Sequence, residues 1–172
     1  MVHAVEEARQ ARVHPTALVA PGAVLGRGVV IGPWCTVGPN AVLDDGVELI
    51  SHVVVDGHTH LGAYSRYFPF CTVGMAPQDL KSKGDPTRCQ VGARTVVRGR
   101  VASQRGTATG AGLTKVGQDG CINANAHAGP CGGVGDRGGV FLAVGGASCP
   151  CLSQCRATAV VWPKAYRLAM GG

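Results

Sequence analysis

Val13–Val73 reads VHPTALVAPGAVLGRGVVIGPWCTVGPNAVLDDGVELISHVVVDGHTHLGAYSRYFPFCTV, and an aliphatic side chain returns in it every six positions. The series is Val13, Val19, Leu25, Ile31, Val37, Leu43, Leu49, Val55, Leu61, Tyr67 and Val73, with Tyr67 the one member outside Val, Leu and Ile. Four residues after each member before Val73 stands a small or β-branched residue: Ala17, Ala23, Val29, Cys35, Ala41, Val47, Val53, Thr59, Ser65 and Cys71. Six is even, so in extended chain both slots point to the same face. Gly26, Gly32, Gly38, Gly62 and Gly74 directly follow the aliphatic slot, where the chain has to turn. A helix cannot hold a period of six on one face, whereas stacked coils of short strands can, each coil burying its inward residues against its neighbours. The pattern therefore predicts an all-β fold, a hexapeptide-repeat parallel β-helix in which three hexads close a coil of about eighteen residues.

The reading divides the chain into an N-terminal extension over 1–12, the β-helix over 13–145 and an irregular tail over 146–172. After Val73 the hexads stop across Gly74–Gln90 (GMAPQDLKSKGDPTRCQ) and restart at Val91-Gly92. A second interruption runs from about Ser103 to Lys115 (SQRGTATGAGLTK), after which Val116, Ile122, Ala128, Val134 and Val140 resume the period. Loop insertions are thus expected near 74–90 and 103–115. Long polar loops on a rigid scaffold commonly carry binding groups. A decorative surface loop is the other reading, and the pattern leaves both open. Interruptions in neighbouring coils also suggest one cleft, between coils or between subunits. Past Gly146 the signal ends, and Ala147–Gly172 holds Pro150, Pro163 and a short apolar group, Ala159–Trp162, without a helical period.

Composition fits a narrow solenoid. In 172 residues there are 27 glycines and only eight aromatic Phe, Trp and Tyr side chains, which suits one domain filled by small groups. The formal charge of +6 favours acidic or phosphorylated partners but forms no run of the kind that binds nucleic acid. No apolar stretch reaches the roughly twenty residues of a membrane span, and Met1–Arg12 carries Glu6 and Glu7 in place of an apolar signal core. The expectation is a cytoplasmic protein, or one of an organelle matrix in a eukaryote. Of eight cysteines, Cys35 and Cys71 fall in the inward small slot, where a thiol acts as a small apolar group. Cys149, Cys151 and Cys155 are dense but match no zinc-ligand spacing, so no metal site is expected there.

Several segments together resemble one family. They are His14-Pro15-Thr16-Ala17, Ile31-Gly32-Pro33, Ser51–Val55 with Gly57-His58-Thr59, Gln78-Asp79-Leu80-Lys81, Gly84-Asp85-Pro86-Thr87-Arg88, Arg105-Gly106-Thr107 and Gly112–Gly117. Spread over about Val13 to Arg137, they are similar to the acyl-[acyl-carrier-protein]:UDP-N-acetylglucosamine O-acyltransferases of lipid A biosynthesis, here divergent or shortened at the C-terminal end. The hexads alone mark only a superfamily; the QDLK, GDPTR and GLTKVG stretches are much more specific. The resemblance implies a left-handed coil, although parallel crossovers are normally right-handed. It also implies a homotrimer with sites between subunits. The implied activity is transfer of a (hydroxy)acyl chain from acyl carrier protein to the sugar 3-hydroxyl of UDP-N-acetylglucosamine, with no cofactor and no metal. A histidine serves there as general base and a backbone amide steadies the oxyanion.

Carried over residue by residue, the resemblance gives substrate-binding roles to Gln78, Asp79 and Lys81 and places His127, in Asn125-Ala126-His127, at the first histidine of the family's pair. The second, the general base, is replaced by Pro130, which has neither a basic nitrogen nor a backbone donor. Gln104 stands where the family has another histidine beside the Arg-Gly-Thr stretch. The catalytic group is accordingly unknown. His127 also reads as a coil histidine satisfied by backbone, and His52 and His58 read as packing or subunit-surface residues. Two functions from different classes remain: a sugar-nucleotide O-acyltransferase with weakened or lost activity, and a catalytically inactive β-helix scaffold or mixed-trimer subunit. A zinc-dependent carbonic anhydrase of the same coil type ranks last, since His3, His14, His52, His58, His60 and His127 lack the required spacing.

Overall fold

A computed structural model describes residues 10–78 and 84–137, together with the backbone of 139–140. The expected tail and the cysteine cluster at Cys149, Cys151 and Cys155 lie outside the described residues, as do most of the N-terminal extension and the side chains of Asp79 and Lys81. Among the described residues nineteen short strands form three parallel sheets of seven, six and six strands, the faces of a triangular prism. Sheet membership cycles strictly along the chain, so every third strand returns to the same face one coil further on.

The first face runs from Arg12–Val13 through Val30–Ile31, Glu48–Leu49, Arg66–Tyr67, Val96–Val97 and Cys121–Ile122 to Gly139–Val140. The second holds Leu18–Val19, Thr36–Val37, Val54–Val55, Thr72–Met75, Ala102–Gln104 and His127–Ala128. The third holds Val24–Leu25, Val42–Leu43, His58–Leu61, Arg88–Val91, Leu113–Val116 and Gly133–Val134.

Both slots of the repeat point inward. Ile31, Val37, Leu43, Leu49, Val55, Leu61, Tyr67 and Val73 form the core with Val29, Cys35, Ala41, Val47, Val53 and Cys71. The first coil is only half covered, with Val13 at 43 % exposure, because nothing described lies beneath it. Tyr67, the departure from the aliphatic series, is fully buried, and its hydroxyl meets the Ser65 hydroxyl at 3.3 Å. Ser65 is the small-slot residue of the same hexad, so the larger ring and its polar tip are accommodated together. Burial pushes the Tyr67 hydroxyl's pKa up and keeps it neutral. Cys35, Cys71 and Cys89 are buried reduced thiols, each with its pKa raised by burial.

Successive coils are joined by backbone bonds such as Gly32 N–H to Leu49 O at 2.8 Å and Ile50 N–H to Tyr67 O at 3.0 Å. The glycine after the aliphatic slot is required by that stacking: a Cβ on Gly32 would strike the carbonyl oxygen of Ile50 in the next coil. At the corners several non-glycine residues adopt the left-handed conformation, among them Trp34, His52 and Phe70 on one edge. His52 stacks on Phe70 with ring centroids 4.9 Å apart.

The inward slots continue past both interruptions. Val97 and Val101 are buried, and so are Ser103 and Thr114, which lie on strands inside the stretch where the aliphatic period fails. Replacing Ile31 or Val55 with Asp buries a carboxylate with no partner. Each substitution is expected to lower unfolding stability by about 4 kcal/mol or more, measured by chemical denaturation; wild-type stability would contradict the register.

Candidate functional site

Two excursions leave the prism at the same corner, between the second and third faces. One separates Thr72–Met75 from Arg88–Val91, and the other, a coil later, separates Ala102–Gln104 from Leu113–Val116. Their roots are tied together. Arg105 N–H donates to Met75 O at 3.0 Å, Gly106 N–H to Arg88 O at 3.1 Å, and Arg88 N–H to Gly112 O at 2.9 Å. The pairing of the two strands shifts between Val73 and Met75, so that Met75 lies opposite Gln104. Gly74, at φ +76°, makes the turn; a side chain there would collide with the Thr59 hydroxyl and Asp56 carbonyl.

Gln78 is exposed on the first excursion. Gln104 is buried at the root of the second, only 5 % exposed. His127 is half-buried and starts the next strand of the second face, in register with Ala102. It therefore lies one coil above Gln104 and about 7 Å back along the strand direction. These three residues share one face and its corner. Asp79 and Lys81 fall outside the described residues.

Pro130 is not on the strand with His127. The strand His127–Ala128 is followed by a turn over Gly129–Gly132, closed by Gly132 N–H to Gly129 O at 3.0 Å, with Cys131 at φ +58°. That is the pattern of a type II turn with proline at its second position, where a fixed φ near −65° is favoured. Three residues of extended strand would have carried side chain 130 roughly 10 Å from His127 and onto the opposite face; the turn instead makes Pro130 a corner residue.

Two side chains stand out that sequence reasoning did not single out. Arg105 reaches down two coils, where its guanidinium occupies the space a side chain on Gly57 would need. Among the described residues its buried Nε has no hydrogen-bond partner, and neither does the Thr87 hydroxyl near the root of the first excursion. The second is Cys131, whose sulfur accepts the Thr107 N–H at 3.2 Å and lies 3.5 Å from the Thr107 hydroxyl. Gly110 leaves room for it, since a Cβ there would lie 2.5 Å from the sulfur. Burial pushes the Cys131 pKa up, but hydrogen bonds from the Thr107 hydroxyl and from the amides of Thr107, Ala111 and Gly112 outweigh it and leave the thiol below its ordinary value. Neither signal is visible in a one-dimensional pattern, because Thr107 and Cys131 are 24 residues apart.

His58 and His60 point out from the third face, and His60 Nε2 lies 2.9 Å from Asp44. Among the described residues no three His, Cys, Asp or Glu side chains come together as a metal-binding group, and no helix is long and apolar enough to cross a membrane.

A three-faced parallel solenoid of hexads, with paired loops rising from one corner, is the architecture of a hexapeptide-repeat acyltransferase. Solved structures agree. A UDP-N-acetylglucosamine acyltransferase is 32% identical over 75% of this chain and 50% of its own, with a TM-score of 0.74. LpxA from Acinetobacter baumannii is 37% identical over 74% and 52%, at 0.71. UDP-N-acetylglucosamine acyltransferase from Campylobacter jejuni is 28% identical over 77% and 52%, at 0.72. No protein-family model matches the chain. The chain belongs to the UDP-N-acetylglucosamine acyltransferase family, and its coil is the left-handed parallel β-helix of that family. It spans about half the length of these solved relatives.

Since the thiolate is the reactive form, Cys131 is expected to react with iodoacetamide at pH 7.5 well before Cys35, Cys71 and Cys89, as read by peptide mass mapping of the folded protein. Equal labelling of all four would contradict the hydrogen-bonded seat of Cys131.

Proposed function

We propose that this chain binds a UDP-N-acetylglucosamine-type sugar nucleotide through Gln78, Asp79, Lys81, Gln104 and His127, and is a weakened form of the enzyme class that begins lipid A biosynthesis. In that reaction the sugar 3-hydroxyl oxygen bonds to the acyl carbon, the thioester C–S bond to the acyl carrier protein breaks, and the hydroxyl proton passes to a base. The observation that carries the reading is the stack of two loop roots on one corner, in a chain 32–37% identical to two of the solved UDP-N-acetylglucosamine acyltransferases. The reading also places the protein in the cytoplasm, or in an organelle matrix in a eukaryote, with acyl carrier protein as its partner.

Pro130 accepts no proton. His127 stands on the strand before the turn and is the only imidazole among the residues assigned to the substrate. Turnover in the parent is expected to be lower by about 10²–10⁴-fold than with a positioned base, while sugar-nucleotide binding survives better. Pro130→His tests this with binding and turnover measured separately, using UDP-N-acetylglucosamine and a hydroxyacyl carrier protein. A large gain in turnover at nearly unchanged binding supports the missing-base account; robust parent activity insensitive to the substitution contradicts it.

The same Pro130 favours a second reading, an inactive β-helix that serves as a scaffold or as one subunit of a mixed trimer. Background turnover in both parent and Pro130→His, together with capture of a related full-length chain, selects it. Either way the oligomer is proposed to be a trimer, supported by apolar side chains left exposed on the prism, including Leu18 at 69 %, Trp34 at 60 % and Phe70 at 57 %. Light scattering is expected to give a trimer of the 17.5 kDa chain; a stable monomer would remove any site shared between subunits.

A further inference from the structure

The first excursion departs from the prism after Met75 and returns at Thr87, and a side chain from the coil above enters the corner it interrupts. Arg105 follows the second-face strand Ala102–Gln104, and its guanidinium lies over Gly57, two coils down. Contact across that distance requires the intervening coil to be broken there. Thr87 stands at the edge of the break. It precedes Arg88, which pairs with His58, so Thr87 stacks about 4.8 Å above Gly57. It shares the inward parity of Cys89 and Val91 and is only 6 % exposed. Among the described residues the buried side-chain N and O atoms without a hydrogen-bond partner are Arg105 Nε and Thr87 Oγ1, and both border Gly57. Buried polar atoms are nearly always bonded, so two orphans at one corner call for a third party.

Charge decides what that party is. Arg12, Arg98, Arg100 and Arg137 also have no ion pair among the described residues, but all four are exposed and solvated by water. Arg105 is half-buried, with its Nε shut off from solvent. Asp56, the neighbour of Gly57 in sequence, turns the other way: its Oδ1 fills the space of a side chain on Gly38, in the coil beneath. The Thr59 hydroxyl is taken up by the Asp56 carbonyl. Cys89 brings no counter-charge either, since burial pushes its thiol up against the opposing pull of the Ser103 hydrogen bond and the Arg105 cation. A guanidinium held out of water without a carboxylate is destabilising. A bridging water would satisfy the two hydrogen bonds and leave the charge unanswered; an anion answers both.

We propose that Arg105 Nε and Thr87 Oγ1 hold a small monovalent inorganic anion of the chloride class, buried beneath the two excursions. Each group donates one hydrogen bond to the ion, which locks the root of the second excursion to that of the first. The site is internal to the corner and involves neither the sugar nucleotide nor the acyl donor, so it stands independently of the proposed acyl transfer.

The test is thermal melting of the full chain at constant ionic strength, with gluconate replaced stepwise by chloride, alongside chlorine NMR line broadening. The melting temperature is expected to rise saturably with chloride, as a ligand held only by the folded state requires. Thr87→Val removes the hydroxyl at nearly constant volume and is expected to weaken chloride about tenfold, the loss of one charge-assisted contact. Arg105→Gln is expected to abolish the response; should that variant not fold, Thr87→Val alone decides. Arg98→Gln, exposed on the first face, is the control for net charge and is expected to keep the parent affinity. Coinciding melts in gluconate and chloride, the result a bridging water gives, overturn the proposal. So does parent affinity in Thr87→Val, or equal weakening in Arg98→Gln. Chloride binding is read without sugar nucleotide or acyl donor, so failure here is distinct from failure of the acyltransfer assay.

Discussion

Parallel stacking in register is the constraint on which everything else in this molecule rests. Each residue bonds to the coil above and below, and each inward side chain touches only its neighbours in the stack. Ile31, Leu49 and Tyr67 therefore sit in one column because their strands pair residue for residue. A residue added within a strand would shift every later side chain to the wrong face. Residues added at a corner leave the columns intact. The described excursions obey this: strands on either side of them return to the same columns, with Tyr67 opposite Val97 and Val73 opposite Ser103.

That constraint also makes the surface legible as a set of ladders. Outward residues on one face repeat above one another at the strand spacing of about 4.8 Å, so charge is either answered by the adjacent coil or stacked on itself. Exposed pairs such as Arg27 with Asp45 contribute little stability each. In that pair the Arg27 amide and guanidinium hold the Asp45 carboxyl below its ordinary value.

Much of this was readable in the linear chain. The period of six located nearly every inward residue from Val13 to Val73 and placed the two interruptions in neighbouring coils; that they leave from the same corner comes from the strand pairing. The period faltered at Ser103 and Thr114, because a rule that looks for aliphatic residues misses buried hydroxyls. Thr95 shows why they are tolerated: its hydroxyl donates to Gly117 O at 2.9 Å, satisfying itself on the next coil. The seat of Cys131 was not readable, nor was the position of Arg105 against Gly57. Both depend on how far a loop of fixed length reaches across a corner, which periodicity does not encode.

Position 130 shows how scaffold and chemistry separate at one residue. The turn over Gly129–Gly132 needs φ > 0 at Cys131 and a φ near −65° before it, and only the former is demanding for an ordinary side chain. Cys131 is held there from two sides: its N–H donates to the Thr114 hydroxyl at 3.0 Å, and its sulfur is bonded by Thr107. Proline fits the preceding position but is not required by it, since any L-residue reaches that φ. The corner would keep its shape with a titratable side chain in place of the ring. Under the proposed function, what Pro130 removes is therefore a proton acceptor and not an element of the fold, so Pro130→His can alter the chemistry of this corner without altering its shape.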